Sequence, residues 1–231
     1  LRGAALPTKD QEIFLESTKY LGCFDSITQG DGPTSGNTVL DIGFSNVNPV
    51  LHCPGTILGV GVMENWGRIF GGNDKYSYSI YSHAYCPSIA EVQYAFYLEE
   101  LELAKAIGVS LQQYPKKNFL SRTSILGPEY MGGDCIVPFG EQYETAYGTG
   151  PFSIHHRYIT EDVPVGCHIY HELGKKFGVD TKVIDSIITL ALVMTGRDFY
   201  KEGLTLEDLG IGHLDKEQLL AYLNEGVYTE G

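Results

Sequence analysis

The 231-residue chain combines an ordinary globular composition with a strongly negative charge, and this combination excludes several classes of protein. Hydrophobic residues make up 43% of the chain and charged residues 19%, which is enough apolar material for a real core. With 29 acidic and 16 basic side chains, the net charge is −13. We therefore expect no nucleic-acid partner, because phosphates are neutralised by lysine and arginine. We also expect no membrane partner, since no apolar run reaches the ~20 residues that span a bilayer.

The number and spacing of the cysteines indicate a reducing compartment. Five of them, at positions 23, 53, 86, 135 and 167, are scattered along the chain, and no CxxC pair occurs. Disulfide-stabilised scaffolds are far richer in cysteine. We therefore predict free thiols in a cytoplasmic protein. The chain begins with Leu1 and not with methionine, and we expect it to be part of a longer protein.

Helical signals dominate the chain. Asn48 before Pro49 fits a helix cap followed by proline at the first helical position, and Pro54 is expected to stop or restart that helix. Apolar residues recur at helical spacing over 89–107 and 181–195, and a glycine follows each of these segments. These elements predict a mostly α fold.

Two segments do not follow the helical period. The stretch KYSYSIYS (75–82) alternates aromatic and polar residues, which predicts a short half-buried strand. Residues 130–152 are rich in glycine, proline and tyrosine and predict a long irregular loop. Because long loops in compact domains are often functional, we expect this loop to form part of a substrate pocket.

The stretch SIHHRYITEDVPVG (153–166) concentrates charged side chains at a predicted helix start. Thr160 is a good cap for a helix whose first turn carries Glu161 and Asp162, and the helix dipole favours carboxylates there without any function. Arg157, one of five arginines, has the planar guanidinium that binds a substrate carboxylate through two hydrogen bonds. The alternative is that Arg157 forms a surface ion pair, which would contribute little to the stability of the fold.

The stretch GFSNVNPVLHCPG (43–55) places a histidine one turn into a predicted helix. His52 and Asn48 are four residues apart and therefore face roughly the same side of that helix. Histidine exchanges a proton readily near neutral pH, which suits it to acid–base catalysis. A hydrogen-bonded core histidine is the plain alternative.

Other combinations give weaker support for a site. His168 and His171 are spaced like two ligands on one helix face, but no second pair at suitable spacing follows, so we expect no metal. Cys53 is adjacent to His52, and adjacent side chains on a turn point apart, so they do not make a nucleophile–base pair. No GxGxxG sequence lies between a strand and a helix, so the chain has no dinucleotide fingerprint.

The stretches SNVNPVLHCPG and HHRYITEDVPVG, roughly 105 residues apart, together resemble the two signature stretches of the opine dehydrogenases. That family includes the octopine and nopaline dehydrogenases. The segment LGKKFGVDTKVIDSIITLA (173–191) is similar to the same family. The likeness spans essentially the whole chain and corresponds to the family's C-terminal α-helical substrate domain.

The resemblance implies a fold and an activity. The fold is mostly α: a helical substrate and dimerisation domain of the 6-phosphogluconate-dehydrogenase-like type over residues 1–231. Such a domain normally follows an N-terminal Rossmann domain, which is absent or nearly absent here. The activity is NAD(P)H-dependent condensation of an amino acid with a 2-oxo acid such as pyruvate, followed by reduction of the imine. NAD or NADP is then bound mainly by the missing domain, and the chain alone is expected to be inactive.

The resemblance also assigns roles to single residues. His52 matches the family's catalytic histidine, and Asp162 matches the carboxylate that pairs with it. Arg157 matches the arginine that holds a substrate carboxylate or the amino-acid substrate. Asn48 matches the asparagine one turn before the histidine, and we expect it to bind substrate as well. The partners implied are an amino acid and a 2-oxo acid.

Several alternatives stay open at this point. One is a metallophore synthase of the same chemistry with a larger amine donor, and another is a keto-acid reductase of similar two-domain build. A third is a helical dimerisation or ligand-binding module without catalysis, with the apolar helices 89–107 and 181–195 as its interface. The choice of amino acid and of NADH or NADPH is open, and a homodimer is one alternative for the oligomeric state.

Overall fold

A computed structural model of the chain describes residues 2–21, 33–70, 75–111, 113–119 and 149–227. These residues are mostly helical, which confirms the predicted fold class. The chain divides into two compact units. The first comprises Leu1–Asn46, Glu102–Gln112 and Leu206–Gly231, and the second comprises Val47–Leu101 and Gln113–Thr205. None of the helices in the described ranges is both long and apolar enough to cross a membrane.

The elements are short apart from two long helices. In chain order they are β1 (Arg2–Gly3), α1 (Gln11–Thr18), β2 (Thr34–Ser35), α2 (Val39–Phe44), α3 (Asn48–Phe70), α4 (Pro87–Ile107), α5 (Lys116–Phe119), α6 (Arg157–Thr160), α7 (His168–Phe177), α8 (Lys182–Thr195), α9 (Phe199–Glu202) and α10 (Lys216–Glu225). Two π-helical turns interrupt this series. We call Ile80–Ala84 the first π-turn and Asp162–Cys167 the second π-turn.

The first unit is organised around a buried carboxylate. Asp41 is fully buried, and its carboxylate accepts a hydrogen bond of 2.8 Å from the Arg2 guanidinium. It also accepts from the backbone N–H of Thr38, whose own side chain caps α2. The two-residue strands β1 and β2 pair in parallel nearby in the same unit, with Arg2 opposite Thr34. A paired and hydrogen-bonded charge of this kind can stay buried without a large cost.

The second unit is built around α3. This helix packs against the first π-turn, α6, the second π-turn and α8. Its buried face includes Val50, Cys53 and Ile57. The predicted helix over 89–107 is present as α4, and Gly108 follows it at a φ of +94°, a backbone conformation that favours glycine. The site described below therefore lies on the central helix of this unit.

The predicted strand over 75–82 is wrong. These residues form a short 3-10 turn, Lys75–Ser77, followed by the first π-turn. In the described part of the chain, only Gly150 pairs with this segment, through Ile80 N–H to the Gly150 carbonyl at 2.8 Å. Burial does not follow the alternation in the sequence, because Ser79 is buried together with Tyr78 and Ile80 while Tyr76 is exposed. Of the predicted loop 130–152, residues 130–148 lie outside the described residues.

A carboxyl group is buried inside α4. Glu100 is 1% exposed, and the hydroxyl of Tyr170 hydrogen-bonds its carboxyl. Its Oε1 has no hydrogen-bond partner among the described residues. Burial raises the pKa of Glu100 well above the ordinary range, because the charged form loses its hydration. The folded chain therefore keeps Glu100 protonated at a pH where the unfolded chain releases the proton.

This difference predicts how stability depends on pH. As the pH rises above about 4.3, the ordinary glutamate pKa, the unfolded chain loses a proton that the folded chain retains, so the free energy of unfolding falls. Glu100→Gln removes this titration. We expect the free energy of unfolding of the variant to increase relative to that of wild type as the pH rises above this value, measured by urea denaturation at a series of pH values.

The matched control is Glu91→Gln, because Glu91 lies on the same helix with a half-exposed side chain paired with Lys116. This substitution should leave the pH dependence of stability close to that of wild type. Parallel pH curves for wild type and Glu100→Gln would contradict the assignment of a neutral buried carboxyl.

Candidate active site

The candidate site is centred on His52 in the first turns of α3. The Nδ1 atom of His52 lies 2.7 Å from Oδ2 of Asp162, and the two side chains are 11% and 13% exposed. Because an ionised carboxylate only accepts hydrogen bonds, the proton of this bond sits on Nδ1. The structure thus brings together two predicted site residues that are 110 positions apart in the sequence.

The helix that carries His52 continues where the sequence predicted a stop. It begins at Asn48, one residue before the expected start at Pro49, and it runs through Pro54 to Phe70. Pro54 supplies no N–H to the preceding turn. In that turn the carbonyl of Leu51 accepts from the Tyr85 hydroxyl at 2.6 Å and from the Gln93 amide at 3.2 Å. Side chains from outside the helix thus support the turn that holds His52.

Asp162 reaches His52 from the second π-turn and not from the predicted helix start. Thr160 is not a cap, because the helical backbone begins earlier, with α6 at Arg157 capped by His156. Asp162 opens the π-turn that joins α6 to α7. Single π-turns inside helices occur frequently at functional sites. The wider turn, and not the first turn of a standard helix, sets the position of the carboxylate.

Two tyrosines surround the other side of the imidazole. The Tyr81 hydroxyl, from the first π-turn, lies 2.9 Å from Nε2 of His52. The ring of Tyr158, from α6, stacks on the imidazole with centroids 3.6 Å apart and planes 9° from parallel. The two tyrosine hydroxyls are 3.4 Å from each other. The ring of His52 is therefore fixed through both nitrogens and one face.

Glycines allow both π-turns to approach α3 closely. A Cβ at Gly55 would collide with the ring of Tyr85, and a Cβ at Gly59 would lie 2.6 Å from Cβ of Ala84. On the other side, a Cβ at Gly166 in the second π-turn would lie 2.5 Å from Cγ of Pro49. Larger residues at these positions would move the turns that carry Tyr81 and Asp162.

Comparison with known families accounts for this arrangement. The model of the NAD/NADP octopine/nopaline dehydrogenase α-helical domain matches residues 35–195. The chain belongs to the octopine/nopaline dehydrogenase family. The match includes α3, both π-turns and α6, and so every residue around His52 described above.

Two relatives agree with this membership. An opine dehydrogenase from Arthrobacter sp. is 27% identical over 179 residues, which cover 76% of this chain and 45% of the relative. A vitopine synthase from Allorhizobium ampelinum is 26% identical over 187 residues, covering 78% of this chain and 46% of the relative. The chain thus spans about half the length of the relatives it matches.

The two predicted substrate-binding residues lie at the surface. The Arg157 guanidinium is exposed and forms an ion pair of 3.0 Å with Glu161, one helical turn away. Its charge also interacts with that of Asp162. Asn48 is exposed at the start of α3, one turn before His52. The structure therefore joins His52 to Asp162 and leaves Arg157 and Asn48 facing solvent.

Three residues at the site were missed by the sequence analysis. Tyr81 lies 29 positions from His52, in a segment whose alternation suggested a strand. Tyr158 follows Arg157 directly, in a motif whose charged residues supplied the candidate site residues. His156 lies in the same motif, and its Nδ1 accepts from the backbone N–H of Tyr158. Burial, with smaller contributions from the charges of His52 and Arg157, lowers the pKa of His156, which favours an uncharged second histidine.

The remaining candidates carry no chemistry here. Cys53 is buried, its Sγ lies 3.6 Å from Sγ of Cys167, and burial raises the pKa of its thiol well above the ordinary value. A thiol in this state is a poor nucleophile. His171 binds Asp185 at 2.8 Å, and His168 contacts the Leu204 carbonyl at 3.0 Å. Within the described ranges, no group of three potential ligands could hold a metal ion.

The close approach at Gly55 gives a stability prediction. Gly55→Ala forces the ring of Tyr85 and the first π-turn away from α3, and we expect it to lower the free energy of unfolding by about 1–3 kcal/mol. Gly61→Ala is the control in the same helix, because a Cβ there meets nothing within 4 Å. That variant should gain about 0.5–1 kcal/mol from helix propensity. Equal effects of the two substitutions in denaturant unfolding would refute the packing argument.

Proposed function

We propose that this chain is the substrate-binding and catalytic domain of an NAD(P)H-dependent opine dehydrogenase. The reaction is the reductive condensation of an amino acid with a 2-oxo acid such as pyruvate. The observation that carries the proposal is the His52–Asp162 hydrogen bond, which lies within the segment that matches the family's helical domain. Its surroundings agree with a proton-transfer site and not with a purely apolar core.

The chemistry of condensation requires a proton donor at the carbonyl oxygen. The amine nitrogen forms a bond to the carbonyl carbon, and the oxygen must gain protons before it leaves as water. A histidine provides such protons near neutral pH. With Nδ1 bonded to Asp162, the nitrogen of His52 that acts toward substrate is Nε2.

Asp162 has two effects on this histidine. Its carboxylate fixes the tautomer with the proton on Nδ1, and its negative charge favours the imidazolium that a proton donor needs. The stacked ring of Tyr158 holds the imidazole plane. A fixed orientation lowers the entropy that would otherwise be lost in reaching the reactive geometry.

Arg157 is the proposed clamp for the substrate carboxylate. Its present partner, Glu161, forms an exposed ion pair of the kind that contributes little stability. A carboxylate that forms two parallel hydrogen bonds to the guanidinium can therefore displace it. We assign Asn48 a supporting role, as an exposed polar group one turn before His52.

The hydride donor is not assigned to the described residues. NAD(P)H supplies the hydride that reduces the imine. A dinucleotide site needs a Gly-rich turn between a strand and a helix, and neither the sequence nor the described strands β1 and β2 offer one. We therefore place the cofactor mainly on another part of the protein, and the steps above concern only the residues of this chain.

The deciding experiment is a substrate panel with the full-length protein. NADH or NADPH oxidation is followed with pyruvate alone, with each amino acid alone and with the two together. We expect oxidation only when both substrates are present, and a secondary-amine dicarboxylate as product by mass spectrometry.

Each other outcome selects an alternative. Oxidation with a 2-oxo acid alone would indicate a keto-acid reductase. Turnover only with larger amine donors would indicate a metallophore synthase. No turnover with any pair would leave a helical dimerisation or ligand-binding module and overturn the proposal.

Arg157 gives a separate prediction in the same assay. Arg157→Gln should raise the KM for the 2-oxo acid by about tenfold or more, because a charge-assisted hydrogen bond contributes roughly 1.5–3 kcal/mol. Folding should be unaffected, since the side chain is exposed. Arg197→Gln is the matched control, because Arg197 also pairs with a nearby glutamate, Glu202. Unchanged KM values in Arg157→Gln would remove this residue from the site.

A further inference from the structure

The hydroxyl of Tyr81 is hydrogen-bonded to the nitrogen of His52 that must act on the substrate. It lies 2.9 Å from Nε2, while Nδ1 is bonded to Asp162. A substrate oxygen can therefore obtain the proton of Nε2 in one of two ways. Either it displaces Tyr81, or it receives the proton through the hydroxyl.

The packing around Tyr81 favours the second way. Its ring meets the ring of Tyr85 edge to face at 5.6 Å, and its hydroxyl is 3.4 Å from that of Tyr158. Tyr85 is itself tied to the carbonyl of Leu51. The side chains of Ile80 and Tyr85, at the two ends of the first π-turn, lie close against α3 at Gly55. Moving the Tyr81 side chain out of the way would break its own contacts with His52, Tyr85 and Tyr158.

The hydroxyl group also has the required chemistry. It can donate one hydrogen bond and accept others. When His52 is neutral, Nε2 is an acceptor and the Tyr81 hydroxyl donates to it. When His52 is an imidazolium, Nε2–H donates to the Tyr81 oxygen, and the hydroxyl proton is then directed to another acceptor. The side chain remains in place in both states.

We propose that Tyr81 is a catalytic residue that relays the proton from His52 to the carbonyl oxygen of the 2-oxo acid. This inference rests on the proposed function. In the step, the amine nitrogen bonds to the carbonyl carbon, and the electron pair of the C=O π bond moves to oxygen. That oxygen takes the proton of the Tyr81 hydroxyl, and the tyrosine oxygen takes the proton of His52 Nε2. His52 becomes neutral and keeps the proton on Nδ1, which it donates to the Asp162 carboxylate.

The test compares Tyr81→Phe with wild type in the full-length protein. The variant keeps the ring and its contacts but loses the relay, so kcat should fall by about 100-fold or more while the KM values stay within about twofold of wild type. Tyr94→Phe is the control, because it removes a tyrosine hydroxyl from the same unit on α4, away from His52. Thermal unfolding checks that both variants fold.

The outcomes separate this inference from the proposed function. If wild type forms the opine and Tyr81→Phe keeps its kcat, or gains in kcat/KM, substrate displaces Tyr81 and the relay is wrong while the function stands. If wild type does not turn over, both fail.

A second measurement needs no variant. In the ¹⁵N spectrum of the full-length protein, we expect the neutral form of His52 to carry its proton on Nδ1 and to use Nε2 as an acceptor. A proton on Nε2 of the neutral ring would overturn the relay.

Discussion

The hydrogen bond between His52 and Asp162 is the interaction on which the rest of the second unit's site depends. It joins the first turns of α3 to the second π-turn, and both side chains are largely shielded from water. Burying two such groups costs free energy unless they are paired with good geometry, and removing one partner leaves the other uncompensated. The distance of 2.7 Å is that of a charge-assisted bond. The pair is therefore both a structural link and the chemical centre of the site.

The backbone that carries the partners of His52 departs from regular α-helix in the same way at two places. Asp162 and Tyr81, the two hydrogen-bond partners of the His52 ring, both lie in π-turns. A π-turn is wider than an α-helical turn, is rare in proteins and occurs frequently at functional sites. Proteins tend to depart from regular local structure where function requires it, and other contacts compensate for the departure. Here the compensation includes the close packing at Gly55 and Gly166.

The sequence allowed the main helices and the central pair to be predicted, but not the geometry that joins them. The helical spacing over 89–107 was sufficient because that helix has one buried face and a glycine at its end. The resemblance to opine dehydrogenases pointed to His52 and Asp162, and the structure places them in contact. The role of each remains a proposal.

The failures have physical causes. A pattern of 3.6 residues per turn cannot reveal a π-turn, so Thr160 was mistaken for a cap. Pro54 did not stop α3, which runs through it to Phe70. Tyr81 could not be found because its contact with His52 exists only after the first π-turn packs against α3.

The central claim is that the imidazole and the carboxylate act as one catalytic unit. A double-mutant cycle in the full-length protein tests it most directly, with kcat/KM measured for His52→Gln, Asp162→Asn and the double variant. Residues that act as a unit are strongly non-additive, so we expect the double variant to lose little more than His52→Gln alone. If the two losses instead multiply, as they do for independent sites, the contact at 2.7 Å is only structural, and the catalytic assignment is wrong.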